Sequence, residues 1–245
     1  MIEIPEQYRI GRQGKQLNKQ NFFSPTLSAS ERRRLRECLR KVVLTHQITG
    51  EDIPSRIDEH YRCEIITCIK IELSDLKHKD FVAKQLQPLM KPFAVYHFHD
   101  AAGSHALSFA HKRLNKTDPA NIVIADAYCT EIFTRLDSRA ALAFPALVNR
   151  TSKRDLYLEA MTKALLLDHP KLFIGADKLL DAKLWYRGES IIALYHKLTQ
   201  LQSLKREKLL AKANAAKAKL NTQIKTAIDE LKQLEIGTKR NPGSY

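Results

Sequence analysis

Between Cys63 and Cys129 most apolar residues fall into four short alternating or Ile-rich runs around one helically spaced segment, and from about Lys153 onward they recur every three or four positions instead. The first pattern suits half-buried strands and the second suits amphipathic helices, so the switch divides the chain into a sheet-bearing part and a helical part. Cys63 to Leu73 is rich in Ile. Phe81 to Met90 has helical spacing, and Pro92 to His99, His105 to His111 and Asn121 to Cys129 alternate around turns at Asp100–Gly103 and Asn115–Pro119. The expected class is α+β: a mainly antiparallel sheet of about four strands with an N-terminal helix and a crossover helix, followed by a helical C-terminal region ending in a long basic helix.

Ahead of the sheet, residues 1–28 read as a basic arm with little core, carrying Arg9, Arg12, Lys15 and Lys19 among Gly, Gln and Asn. Ser28 or Ser30 is placed to cap a helix running to about Thr45, with Leu35, Cys38, Leu39, Val42 and Val43 as its apolar stripe. The domain reading is then an arm at 1–28, an α+β domain at 29–150, a helical region at 151–200, a long basic helix or short coiled coil at 201–236, and a flexible tail at 237–245. Within the coiled-coil segment Leu220, Ile224, Ala227, Leu231 and Leu234 follow heptad spacing, which suits packing on the protein's own body, on a partner helix, or on a second copy.

The 245 residues are 44% apolar, enough to bury a core, and carry a formal net charge of +14. Such an excess attracts polyanions, nucleic acid first. No apolar run reaches bilayer length, and Glu3 and Glu6 stand where a signal peptide needs basic residues, so the expected location is the cytoplasm with no membrane partner. Cys38, Cys63, Cys68 and Cys129 form no C-x-x-C pair and no zinc-finger spacing with histidine, which points to buried reduced thiols and no metal or other cofactor.

The charge surplus is concentrated near the two ends. Arg32, Arg36 and Arg40 are spaced four apart, with Arg33 beside them and Lys41 at the margin, against only Glu31 and Glu37. On one helix face these cations repel, and guanidinium forks suit phosphate oxygens, so DNA or RNA is the expected counter-charge. A solvated face is the bland alternative. Near the other end Lys205, Arg206, Lys208 and Lys212 face the single acid Glu207, and here an Ala-Lys spacer helix competes with a second phosphate-binding surface. Neither segment offers chemistry for reading bases.

His97, His99 and His105 fall in one predicted hairpin. A four-residue loop Asp100–Gly103 would pair Phe98 with His105, gather Tyr96, Phe98, His105, Leu107 and Phe109 on the core face, and turn His97 and His99 to the polar face without a metal. A metal-dependent nuclease needs an Asp followed by Glu-x-Lys on adjoining strands. Glu64, Lys70 and Glu72 have those types in the wrong order, and Asp177, Asp181 and Lys183 fall in a helical segment. No phosphate loop, dinucleotide fingerprint or nucleophile elbow is present in the sequence, so no catalytic residue is assigned. Trp185 and Tyr186 read as core aromatics, with base stacking as the alternative.

Asn21-Phe22-Phe23 before the capped helix, Leu44 to Ile53, Ile65 to Leu73, Pro92-Phe93-Ala94-Val95-Tyr96 and Ala110-His111-Lys112-Arg113-Leu114-Asn115 together resemble the DUF 4391 family over nearly the whole chain. That resemblance implies no activity or catalytic residue. Members of this bacterial and archaeal family look like small companions encoded beside helicase and DNA-methyltransferase genes, in clusters resembling restriction or phage-defence systems. It implies a helicase or methyltransferase partner and draws Lys112 and Arg113 into the candidate phosphate-binding surface. The function expected is a non-enzymatic accessory subunit that binds nucleic acid and docks such a partner. A purely structural adaptor and a divergent metal-dependent nuclease are the alternatives.

Overall fold

The computed structural model describes residues 2–237. It divides into two units, residues 1–161 and 162–245, with the boundary inside one helix. The expected tail beyond Gly237 and the Leu234 side chain lie outside the described residues. The first unit runs β1 (Lys15–Gln16), α1 (Ala29–Cys38), β2 (Leu39–Ile48), β3 (Arg56–Ile57), β4 (Arg62–Cys63), β5 (Ile66–Leu73), α2 (Lys79–Leu86), β6 (Phe93–His99), β7 (His105–Leu114) and β8 (Ile122–Cys129). Helix α3 (Lys153–Asp168) crosses the boundary, and α4 (Gly188–Leu210) and α5 (Asn214–Gly237) belong to the second unit.

The α+β class holds, with a larger and mixed sheet. Six strands lie in the order β1-β2-β5-β6-β7-β8, and β3 and β4 form a separate two-stranded ribbon. All neighbours in the large sheet are antiparallel except β5 and β6, whose parallel pairing is made possible by the α2 crossover. On one face α1 and α2 cover Ile69, Ile71, Ala94, Tyr96, Phe98 and Ala106. Alternation places Phe93, Phe109 and the histidines on the other face, where the Tyr157 ring of α3 meets Phe93 and Phe109 edge-on at 5.1 and 5.6 Å.

Two expectations about the N-terminal region are corrected. The helix from Ser28 stops at Cys38, and residues 39–48 form strand β2. Ser28 and Glu31 make the reciprocal capping box expected of that start. The β-branched Val42, Val43 and Thr45 favour strand, but shifts in register between Leu39 and Lys41 and between Leu44 and His46 break the period-two pattern that would have revealed it. The arm, for its part, contributes to the core: Tyr8 and Phe22 are buried, and β1 pairs with β2. Gly14 permits that approach, because at its φ of 75° a Cβ would lie 2.7 Å from the Leu44 carbonyl oxygen.

At the start of α3, Lys153 Nζ donates to the carbonyls of Gly50 and Ile53 at 2.8 and 2.6 Å, which fastens the loop after β2. The Tyr157 hydroxyl sits between β6 and β7. Pairing of these strands ends at Tyr96 and Ser108, and beyond that point Tyr157 donates to Ala94 O at 2.8 Å while accepting from Ala110 N at 2.6 Å.

In the second unit the expected basic helix over 201–236 is two helices, separated at Ala211–Ala213. They form a hairpin in which Lys197 donates to Glu230 and Leu198, Leu201, Ala227 and Leu231 are buried. The expected heptad seam is thus used at Ala227 and Leu231 within the chain. No described helix is long and apolar enough to cross a membrane.

Candidate nucleic-acid interface

The α1 arginines do not share one fate. Glu31 is held by the cap: the Ser28 hydroxyl and backbone N–H keep its carboxyl below the usual range. Arg33 pairs with Glu37 at 2.9 Å. Arg34 lies over the Phe81 ring at 4.2 Å, and Arg36 lies over Phe23 at 5.6 Å. Arg32 is half-buried, with its Nε lacking a hydrogen-bond partner. Arg40 and Lys41, expected on the same helix, are instead exposed on β2 because the helix ends at Cys38.

Arg36 on α1 and Arg40 and Lys41 on β2 are each exposed, and Lys19 donates to Leu39 O at 3.4 Å. Among the described residues no carboxylate pairs with Arg36, Arg40 or Lys41, although Lys41 stands opposite Glu72 in the β2–β5 register. Stacking on Phe23 narrows the rotamers of Arg36 while its edge N–H donors stay open to solvent.

Lys112 is removed from the candidate surface. Alternation along β7 sets Lys112 on the same face as Ala106 and Ser108, where it is 1% exposed and donates to the carbonyls of Met90 and Pro92. Burial lowers its ammonium pKa to about 7. Its neighbour Arg113 is half-buried on the same strand, and His111 is buried against Tyr61, the rings stacked at 5.4 Å.

In the second unit Arg206 is exposed and Lys208 half-buried on α4, while Lys212 is exposed in the break before α5. Lys205 is half-buried and donates to Leu172 O. Trp185 is core, with Nε1 donating to Leu179 O at 2.6 Å, but Tyr186 is 64% exposed and so departs from the expected core pair.

The histidine hairpin closes one residue differently from expectation. Asp100 Oδ1 accepts from Ala102 N and Ser104 N, and Gly103 takes a φ of 76°, so Asp100 faces Ser104 across a three-residue loop. His99 therefore pairs with His105, and Phe98 pairs with Ala106. The shift turns His105, Leu107 and Phe109 to the face opposite Tyr96 and Phe98, bringing His105 to the side of His97 and His99. His97 Nε2 and His105 Nδ1 are 3.1 Å apart. Burial, with His105 next in effect, lowers the His97 pKa to about 3.

No group of three or more His, Cys, Asp or Glu among the described residues is arranged to hold a metal. Glu64 precedes β5 and pairs with Arg62 at 2.8 Å, and Asp181 and Lys183 lie in successive short 3-10 turns rather than on strands. The four cysteines are unpaired, and burial pushes the thiols of Cys63, Cys68 and Cys129 up to about 12, leaving them inert as nucleophiles at neutral pH.

The fold is that of an α+β protein with exposed basic side chains on α1 and β2. Its sequence places it in a family: the chain belongs to DUF4391, a domain of unknown function, whose profile matches residues 2–231. Comparison with curated proteins and with solved structures finds no match.

Proposed function

We propose that this protein is a cytoplasmic, non-enzymatic accessory subunit that holds nucleic acid by its phosphates. Its partner is a helicase or DNA methyltransferase of a restriction-like or phage-defence system, the partner class implied by the family resemblance. The observation that carries the reading is that Arg36, Arg40 and Lys41 are each exposed without a carboxylate ion-pair partner among the described residues, in a chain of net charge +14. Arg113, Arg206, Lys208 and Lys212 offer further charge. Contacts of this kind set affinity and orientation without reading sequence.

The test is fluorescence anisotropy with duplex DNA and with single-stranded RNA at low salt, comparing wild type with the triple variant Arg36→Glu, Arg40→Glu, Lys41→Glu. The expected result is binding to at least one probe that weakens tenfold or more in the variant. If each side chain neutralises one phosphate, the slope of log K against log salt falls in magnitude by about 3 for duplex DNA. Equal affinity in a variant with an unchanged circular dichroism spectrum would overturn the proposal and leave the adaptor reading.

A further inference from the structure

On the sheet face opposite α1 and α2, a cavity of about 250 Å³ opens between the strands and the N-terminal segment. Lys70 of β5 and His97 of β6 line it, next to each other in the parallel register, while Ile2, Ile4, Val95 and Leu136 supply apolar wall. Lys70 is exposed, and among the described residues no carboxylate forms an ion pair with it.

Charges around the cavity are unevenly placed. His46 of β2 and Glu3 of the N-terminal segment also line it, and Glu72, His99, His105 and Asp100 lie further along the same face and hairpin. Glu72 and Asp100 act on His99, whereas the side chains that act on His97 are His105, Lys70 and His99, all basic. The cavity thus combines an ammonium that forms no ion pair among the described residues with an imidazole hydrogen-bonded to a second imidazole. In one tautomer of the pair His97 accepts from His105 and keeps its own N–H for a ligand, so an oxyanion is accommodated without a change in total protonation.

We propose that this cavity binds a small organic phosphate, the phosphate group held by Lys70 and His97 and the organic body resting on Ile2, Ile4, Val95 and Leu136. A point charge plus imidazole donors from neighbouring strands suits a tetrahedral oxyanion better than the in-plane fork preferred by a carboxylate. The apolar walls favour a phosphate carried on a larger body over the free ion. This site uses none of Arg36, Arg40 and Lys41, so it stands or falls separately from the nucleic-acid reading.

Calorimetric titration of the full chain with inorganic phosphate, a nucleoside 5′-monophosphate and acetate tests it. Both phosphates are expected to bind saturably, the monophosphate at least tenfold tighter than inorganic phosphate, and acetate at least tenfold weaker than either. Lys70→Gln, at an exposed position, should weaken both phosphates at least tenfold with an unchanged melting temperature, while the Arg36, Arg40 and Lys41 triple variant keeps wild-type phosphate binding. The proposal is overturned by absence of saturable binding, by acetate binding as well as phosphate, by no preference for the organic phosphate, or by Lys70→Gln binding like wild type.

Discussion

Tyr157→Phe is expected to destabilise the first unit by about 3 kcal/mol, because a single hydroxyl bridges two backbone groups in a water-free position. Tyr157 is fully buried, and its hydroxyl occupies the place where an Ala110 N–H to Ala94 O bond would continue the β6–β7 ladder. Removing it leaves Ala110 N–H without that acceptor, while Ala94 O retains Gln87 Nε2 at 3.3 Å. The ring packing on Phe93 and Phe109 survives the substitution, so the loss reports the hydroxyl and not a cavity. Urea unfolding of the two proteins measures it. A loss under about 0.5 kcal/mol would mean that the strands close to pair directly, against the bridging role.

Lys112→Met is expected to flatten a pH dependence. With its native pKa near 7 and an unfolded value of about 10.4, Lys112 binds fewer protons in the native protein than in the unfolded chain between those limits. Stability contributed at this site therefore rises with pH through that window. Burial is the cause, and the neutral amine still has two N–H groups for the carbonyls of Met90 and Pro92. Between pH 6.5 and 8.5 wild type should gain about 2 kcal/mol relative to the variant. The comparison needs the variant as reference and stops at pH 8.5, because the raised thiols of Cys63, Cys68 and Cys129 pull stability the other way once unfolded cysteine ionises. A constant difference across this range would show that Lys112 stays charged.

The sequence reveals what is periodic and conceals what is offset. Four strand runs and α3 stand close to where alternation and helical spacing place them. β2 escapes because the bulge between Leu39 and Lys41 puts Leu39 and Val42 on one face three residues apart, so that with Leu35 and Cys38 of α1 the buried positions continue a helical spacing. The histidine register turns on whether Asp100 belongs to the loop or closes it, a decision made by hydrogen bonds from Ala102 and Ser104 to its side chain. Gathering the largest apolar residues on one face pointed to the wrong register. The chain instead sets small Ala106 and Ser108 behind Tyr96 and Phe98, and gives Phe109 to Tyr157. Of the candidate surface, residue types were legible but directions were not: Lys112 falls on the covered face of β7, with its ammonium on the Met90 and Pro92 carbonyls.

The N-terminal segment has a further effect on strand β2. Arg9 bridges His46, Ile10 N–H donates to Thr45 O, β1 pairs with Val43 and Leu44, and Leu17 N–H donates to Val42 O. These contacts occupy backbone positions along the middle of a ten-residue strand that would otherwise offer them to any extended peptide. What reads as a basic arm covers these positions against strand addition, and its Lys15 sets a charge on the outermost rung.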